Sequence, residues 1–257
     1  MNISINGIKT NYIEKGEGEA ILLLHGWGSN IELFKGIIEN RSKAQKVYAI
    51  DMPGFGKTEE PKEAWNVDGY VDFVIEFIKK MKIKKLSLLG HSFGGRVIIK
   101  LVNRKDLPFE INKIVLIDSA GIKPEKVNNK NIKTYIYKLG KKVLCTKLMM
   151  KVFPNGLDKL KSKFGSADYR NATPRMRDIL VKTVNEDLTD LLPTIKYSTL
   201  LIWGDRDTAT PFSDAEKMNK LIKDSGIVKV EGAGHYSYLE NPILVHRVLD
   251  SFLGGAK

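Results

Sequence analysis

Eight short apolar runs punctuate the chain: SINGI, TNYIE, AILLL, KVYAI, LSLLG, KIVLID, TLLIWG and IVKVEG. Each has strand length, and amphipathic stretches with helical spacing lie between most of them. Between Asp68 and Lys82, for example, Tyr70, Phe73, Val74, Phe77, Ile78 and Met81 recur on one helical face. Asp68 and Asp72 sit near the start of that helix and Lys79, Lys80 and Lys82 near its end, as its dipole favours. Strands alternating with helices predict an α/β fold with a mostly parallel sheet. The first two runs, separated by Gly7, predict an opening hairpin. Thr210-Pro211 and Asn241-Pro242 each read as a capping side chain before a proline at the first helical position, and Gly254-Gly255 as a helix stop.

The alternation breaks once, between KIVLID and TLLIWG. Residues 121–193 are lysine-rich and helix-like, too long for an ordinary crossover, and read as an insertion. The same segment changes the charge picture. The chain's 257 residues carry a formal charge of +12, which invites nucleic acid, an anionic membrane or acidic substrates as partners. Gly121–Pro193 alone holds 16 Lys and Arg against 7 Asp and Glu, so most of the basicity is local.

The stretch DMPGFGKT, Asp51 to Thr58, imitates the end of a phosphate-binding P-loop after a strand. The imitation fails on two counts. Asp51 stands where that loop needs its first glycine, and Glu59, Glu60 and Pro61 follow where a helix N-terminus should face the anion.

LSLLGHSFGGRVIIKLV carries the chemistry. A strand ends at Gly90, Ser92 follows, and a helix with Val97, Ile98, Leu101 and Val102 on one face begins at once, so Gly90 and Gly94 flank the serine as G-x-S-x-G. A turn this sharp strains the serine and brings helix and strand together so closely that only glycines fit beside it. Its product is an exposed hydroxyl at a helix N-terminus. Such a serine needs a base, and the base needs an acid. Of four histidines, His25 and His91 read as structural and His246 as a surface or packing residue of the last helix. His235, in the glycine-bearing loop after the last predicted strand, is the base. TLLIWGDRDTATP supplies Asp207 as the acid, with Asp205 capping the turn and Asp118 in reserve. The backbone N–H groups of Phe93 and Trp27, the latter in the turn HGWG, are the expected oxyanion donors.

With these residues in place the chain resembles the α/β-hydrolase fold family over nearly its whole length. HGWG resembles that family's oxyanion turn, GHSFGG its nucleophile elbow, GDRD its acid loop and GAGH its base loop. DMPGFGKT resembles its D-x-P-G-x-G loop, which disposes of the P-loop reading. The resemblance implies a mostly parallel eight-stranded sheet with helices on both faces, a core of residues 1–120 and 194–257, and a helical cap over 121–193 that selects substrate.

The activity so implied is hydrolysis of a small or medium carboxylic ester through an acyl-enzyme on Ser92. A serine nucleophile argues against the family's epoxide hydrolases and haloalkane dehalogenases, which use aspartate. Carbon–carbon bond hydrolases rank second, because many of them carry Asn where His91 stands here, and a non-catalytic small-ligand receptor third. The basic run YIYKLGKKVLCTKLMMKVF is read as apolar residues lining an acyl pocket while lysines face solvent, ahead of contact with anionic lipid or steering of an acidic substrate. No metal or cofactor motif is present. The single cysteine, Cys145, and the absence of a leader-like or membrane-spanning run lead us to expect a soluble cytoplasmic protein that binds no nucleic acid.

Overall fold

The computed structural model describes residues 1–123 and 167–255. All eight apolar runs form strands: β1 (Asn2–Ile5), β2 (Ile8–Lys15), β3 (Ala20–Leu24), β4 (Lys46–Ile50), β5 (Lys85–His91), β6 (Glu110–Ile117), β7 (Thr199–Gly204) and β8 (Ser225–Val230). They build one sheet in the order β1-β2-β4-β3-β5-β6-β7-β8. β1 and β2 form the expected antiparallel hairpin, turning at Asn6-Gly7 where both residues have positive φ. β2 is antiparallel to β4, and every later pairing is parallel. The C-terminal ends of β3 to β8 therefore share one edge of the sheet.

The described helices are α1 (Lys35–Arg41), α2 (Val67–Lys80), α3 (Phe93–Leu101), α4 (Ala167–Asn171), α5 (Pro174–Val184), α6 (Phe212–Leu221), α7 (Ser237–Glu240) and α8 (Pro242–Leu253). Ile21, Leu23, Val47, Ala49, Val115 and Ile117 make one core with Ile37 and Ile38 of α1 and Val245 and Leu249 of α8. Side chains alternate along a strand, so the intervening Leu22, Leu24, Tyr48 and Leu116, equally buried, point to the other face. There α2 and α3 lie together, with Tyr70 edge-on to Phe93 at 4.9 Å between ring centres. Each such side chain, fully buried, contributes about 1.5–3 kcal/mol.

Helix starts follow local chemistry. Asn66 accepts from the Gly69 amide to cap α2, and Asn241 accepts from the Leu244 amide to cap α8, whose first residue is Pro242. Thr210 departs from expectation: α6 starts at Phe212, Pro211 takes the flanking position, and no side chain caps the helix. The Thr210 hydroxyl is instead drawn inward, as described below.

The chain divides into two compact units, Met1–Lys123 with Lys182–Lys257, and Pro124–Val181. Residues 182–193, expected within the insertion, thus belong with the sheet. The Leu188 amide donates to the Gly121 carbonyl at 2.9 Å, and Leu188 and Leu192 are buried. In the second unit, Arg177 of α5 donates to the Tyr169 carbonyl of α4 and stacks on its ring. Cys145 and the basic run YIYKLGKKVLCTKLMMKVF lie outside the described residues. Among the described residues no helix is long and apolar enough to cross a membrane.

Candidate active site

β5 delivers Ser92 into a backbone conformation with φ 50° and ψ −112°, a region that side chains other than glycine rarely occupy. The turn is held from both sides. The Ser92 amide donates to the Ile117 carbonyl at 3.1 Å, and the Ser92 carbonyl accepts from Gly95, Arg96 and Ala120. The glycines answer to sterics as the sequence predicts. A Cβ on Gly90 would lie 2.6 Å from backbone atoms of both Gly94 and Gly95, and one on Gly94 would be driven into the Leu24 carbonyl of β3.

Three loops at the same sheet edge meet here. His235, in the loop after β8, places Nε2 2.9 Å from Ser92 Oγ and Nδ1 2.8 Å from Asp207 Oδ2. Asp207 follows β7, and its carboxylate is saturated with donors: the Ala209 and Thr210 amides on Oδ1, and Thr210 Oγ1 with His235 on Oδ2. Burial alone would raise its pKa, but the bonds from His235 and Thr210 prevail and hold it below the usual carboxylate range. An ionised Asp207 accepts a proton-bearing Nδ1, which leaves the Nε2 lone pair facing the serine.

The turn HGWG comes after β3 and lies against the elbow. A Cβ on Gly26 would meet Ser92 Cβ at 3.3 Å and His91 Nδ1 at 2.7 Å. The Trp27 ring packs edge-on against Phe93 and Phe55. Among the described residues neither the Trp27 nor the Phe93 backbone N–H donates to an acceptor.

The other candidates serve the frame. His25 is buried, its Nε2 accepting from the Met52 amide, and desolvation lowers its pKa to about 4. His91 donates from Nε2 to the His235 carbonyl at 2.8 Å, and burial, helped by nearby His235, lowers it to about 3. His246 lies on α8, close to Gly36 of α1. Asp205 accepts from the Gly232 amide, bracing one loop against the other. Asp51 gathers the Ile31 and Lys57 amides and Asn11 Nδ2, while Thr58 Oγ1 accepts from the Asn11 amide, so DMPGFGKT is scaffolding.

Asp118, the reserve acid, does not reach His235. Its Oδ1 accepts from the Gly204 amide at 2.9 Å, and its Oδ2 from the amide and hydroxyl of Ser237 at 3.0 and 2.7 Å. Sequence reasoning missed the part played by Ser237, the first residue of α7, and by Thr210, which reads there as a helix cap; no local signal marks either one. A cavity of about 420 Å³ opens at the opposite edge of the sheet, lined in part by Ala20, Lys46, Tyr48, Lys85, Ser87 and Asn112, and shares no residue with this constellation. Among the described residues no group of three or more His, Cys, Asp or Glu side chains could hold a metal ion.

Comparison with known proteins bears on the family and the fold. The chain is 27% identical over 255 residues to a 2-hydroxy-6-oxo-6-(2'-aminophenyl)hexa-2,4-dienoic acid hydrolase of Metapseudomonas resinovorans, covering 93% of this chain and 86% of the relative. It is 23% identical over 267 residues to a 2-hydroxy-6-oxo-2,4-heptadienoate hydrolase of Pseudomonas putida, covering 96% and 93%. A thermophilic esterase from Thermogutta terrifontis shares the fold, with a TM-score of 0.73, 21% identity, and coverage of 98% of this chain and 96% of that one. Residues 19–242 match the family model of the alpha/beta hydrolase fold, and with its eight-stranded sheet and its elbow at Ser92 this chain belongs to the α/β-hydrolase family.

Proposed function

We propose that the protein is a serine hydrolase that cleaves small or medium carboxylic esters through an acyl-enzyme on Ser92. One observation carries the reading: the unbroken line of contacts from Asp207 Oδ2 through both ring nitrogens of His235 to Ser92 Oγ, at 2.8 and 2.9 Å. In this reading Ser92 Oγ attacks the acyl carbon and its proton passes to His235 Nε2. Asp207 keeps the ring in the productive tautomer and stabilises the imidazolium. The Phe93 and Trp27 N–H groups receive the oxyanion, a donor of this kind contributing about 10²–10³-fold in rate. The leaving alkoxide takes the proton from Nε2, and water repeats the sequence on the acyl-enzyme.

A second reading, cleavage of a carbon–carbon bond beside a ketone, is favoured by the two dienoate hydrolases among the relatives, each aligned along more than nine-tenths of this chain. The same serine, base and oxyanion donors would serve it.

The two separate in one experiment. Native protein and Ser92→Ala are assayed on p-nitrophenyl esters of increasing acyl length and on a 2-hydroxy-6-oxo-hexa-2,4-dienoate. Ester turnover lost in the variant supports the first reading. Turnover of the dienoate with esters left nearly untouched moves the assignment to the second. Equal rates for native protein and variant on both substrates would refute Ser92 as the nucleophile.

A further inference from the structure

We infer that Asp118 is a positioning residue of this reaction: its carboxylate joins the loop that carries Asp207 to the loop that carries His235 and holds both in register with Ser92. The inference rests on the serine-hydrolase reading and adds to it a residue outside the triad.

The argument is topological. β6 ends at Ile117, at the centre of the sheet edge where the three loops meet, and the four residues Ile117 to Ala120 bond to every one of them. Ile117 O accepts from the Ser92 amide, and the Ala120 amide donates to Ser92 O, which fixes the nucleophile turn. Asp118 Oδ1 accepts from Gly204, the last residue of β7 and three residues before Asp207. Asp118 Oδ2 accepts twice from Ser237, two residues after His235. Thr210 Oγ1 lies 3.0 Å from the Asp118 carbonyl and 2.7 Å from Asp207 Oδ2, so its one proton is placed between the two acceptors. The acid and base loops therefore converge on one side chain.

Two further observations separate this role from ordinary packing. Asp118 is fully buried and sits at φ +44°, a left-handed conformation that Asp and Asn tolerate better than most residues. All three of its side-chain bonds are received from donors, so an acceptor-only group is required. Asn in its place would turn an NH₂ towards a backbone N–H. Burial raises the Asp118 pKa to about 6 against the pull of the Ser237 and Gly204 bonds, so an ionised carboxylate is kept there at a cost in stability.

The test uses the full chain with Asp118→Asn and Ser237→Ala, the second removing one of the three bonds. Kinetics are measured on the best ester found for the native protein, and the low-field proton resonance of His235 Nδ1–H is recorded alongside. For Asp118→Asn we expect kcat to fall by about 10- to 100-fold, the scale of a misplaced catalytic group, with KM changed by less than about 3-fold. The Nδ1–H resonance is expected to shift or broaden while circular dichroism remains native. Ser237→Ala is expected to move kcat and the resonance in the same direction by a smaller factor. A folded Asp118→Asn with native kcat and an unmoved resonance overturns the inference. Should that variant fail to fold, a Ser237→Ala protein with native kcat and native resonance overturns it equally. If the native protein turns over no ester or dienoate, the hydrolase reading fails by itself, and the resonance still decides whether Asp118 orders the His235–Asp207 pair.

Discussion

Gly90→Ala offers the sharpest test of why the elbow is built as it is. Local propensity favours the substitution, since alanine in place of a strand glycine with permitted φ stabilises by about 0.4–1 kcal/mol through the unfolded chain. Contact geometry opposes it. The new methyl carbon would sit 2.6 Å from Gly94 C and Gly95 N and 2.7 Å from Ile98 Cδ1, whereas unstrained carbon contacts fall at about 3.5–4.0 Å. Ile98 can rotate away, but the two backbone atoms cannot move unless α3 retreats from β5 by about 1 Å. Overpacking of this kind costs about 1–3 kcal/mol, so we expect a net loss of about 1 kcal/mol after the propensity gain. In a protein of this size that lowers Tm by about 2–4 °C. Because Ser92 rides on the same turn, kcat/KM should drop by about 100-fold. Urea unfolding followed by circular dichroism measures the first effect and ester hydrolysis the second. Gly226→Ala on β8 is the control: no atom lies within 4 Å of its added carbon, so it should be neutral or slightly stabilising. A Gly90→Ala protein as stable and as active as Gly226→Ala would refute the steric argument.

Three other substitutions probe separate parts of the molecule. Asp207→Asn should lower kcat by about 10⁴-fold with little change in Tm, because an amide at that position can turn the imidazole to the wrong tautomer; parallel kinetics and thermal melts check it. His25 has its folded pKa lowered to about 4 from 6.5, so the native state binds fewer protons than the unfolded chain between those values. Its stabilisation is complete above pH 6.5 and is lost as pH falls towards 4. His25→Gln should therefore lessen the difference in urea stability between pH 7 and pH 4 by up to about 3 kcal/mol, and an unchanged difference would show that His25 is not held neutral. Asn241→Ala should remove the α8 cap and cost about 1 kcal/mol, read as a fall in Tm of about 2–4 °C.

Much of the frame is legible in the sequence because it depends on local rules. All eight strands, the hairpin at Gly7 and the cap at Asn241 follow from short-range pattern or turn chemistry. Ser92, Asp207 and His235 could be chosen because each follows a different parallel strand, and such strands end at one edge. What escaped depends on residues far apart. An apolar strand ending in Asp118 looks the same whether the carboxylate serves as acid, magnesium ligand or clamp, and its partners are 86 and 119 residues away. Thr210 has the spacing of a helix cap, yet its hydroxyl is claimed by Asp207 and the Asp118 carbonyl. Residues 182–193 read as part of the insertion because what ties them to the sheet unit is equally distant in sequence: Leu188 to Gly121, and Arg96 and Lys100 of α3 to Glu186.

That bond has an evolutionary consequence. Gly121 and Leu188 are clasped directly, and the Lys123 backbone amide donates to the Asp187 carboxylate beside them, so the sheet unit closes on itself where the long excursion leaves and returns. Closing a loop costs free energy that grows only with the logarithm of its length. Exchanging or lengthening the segment from Pro124 to Val181 therefore changes little in the closure cost of the sheet unit, and among the described residues the bonds that orient Ser92, His235 and Asp207 are all made within that unit. The clasp makes the excursion a detachable cassette: its length and content can change while the sheet unit keeps its own closure.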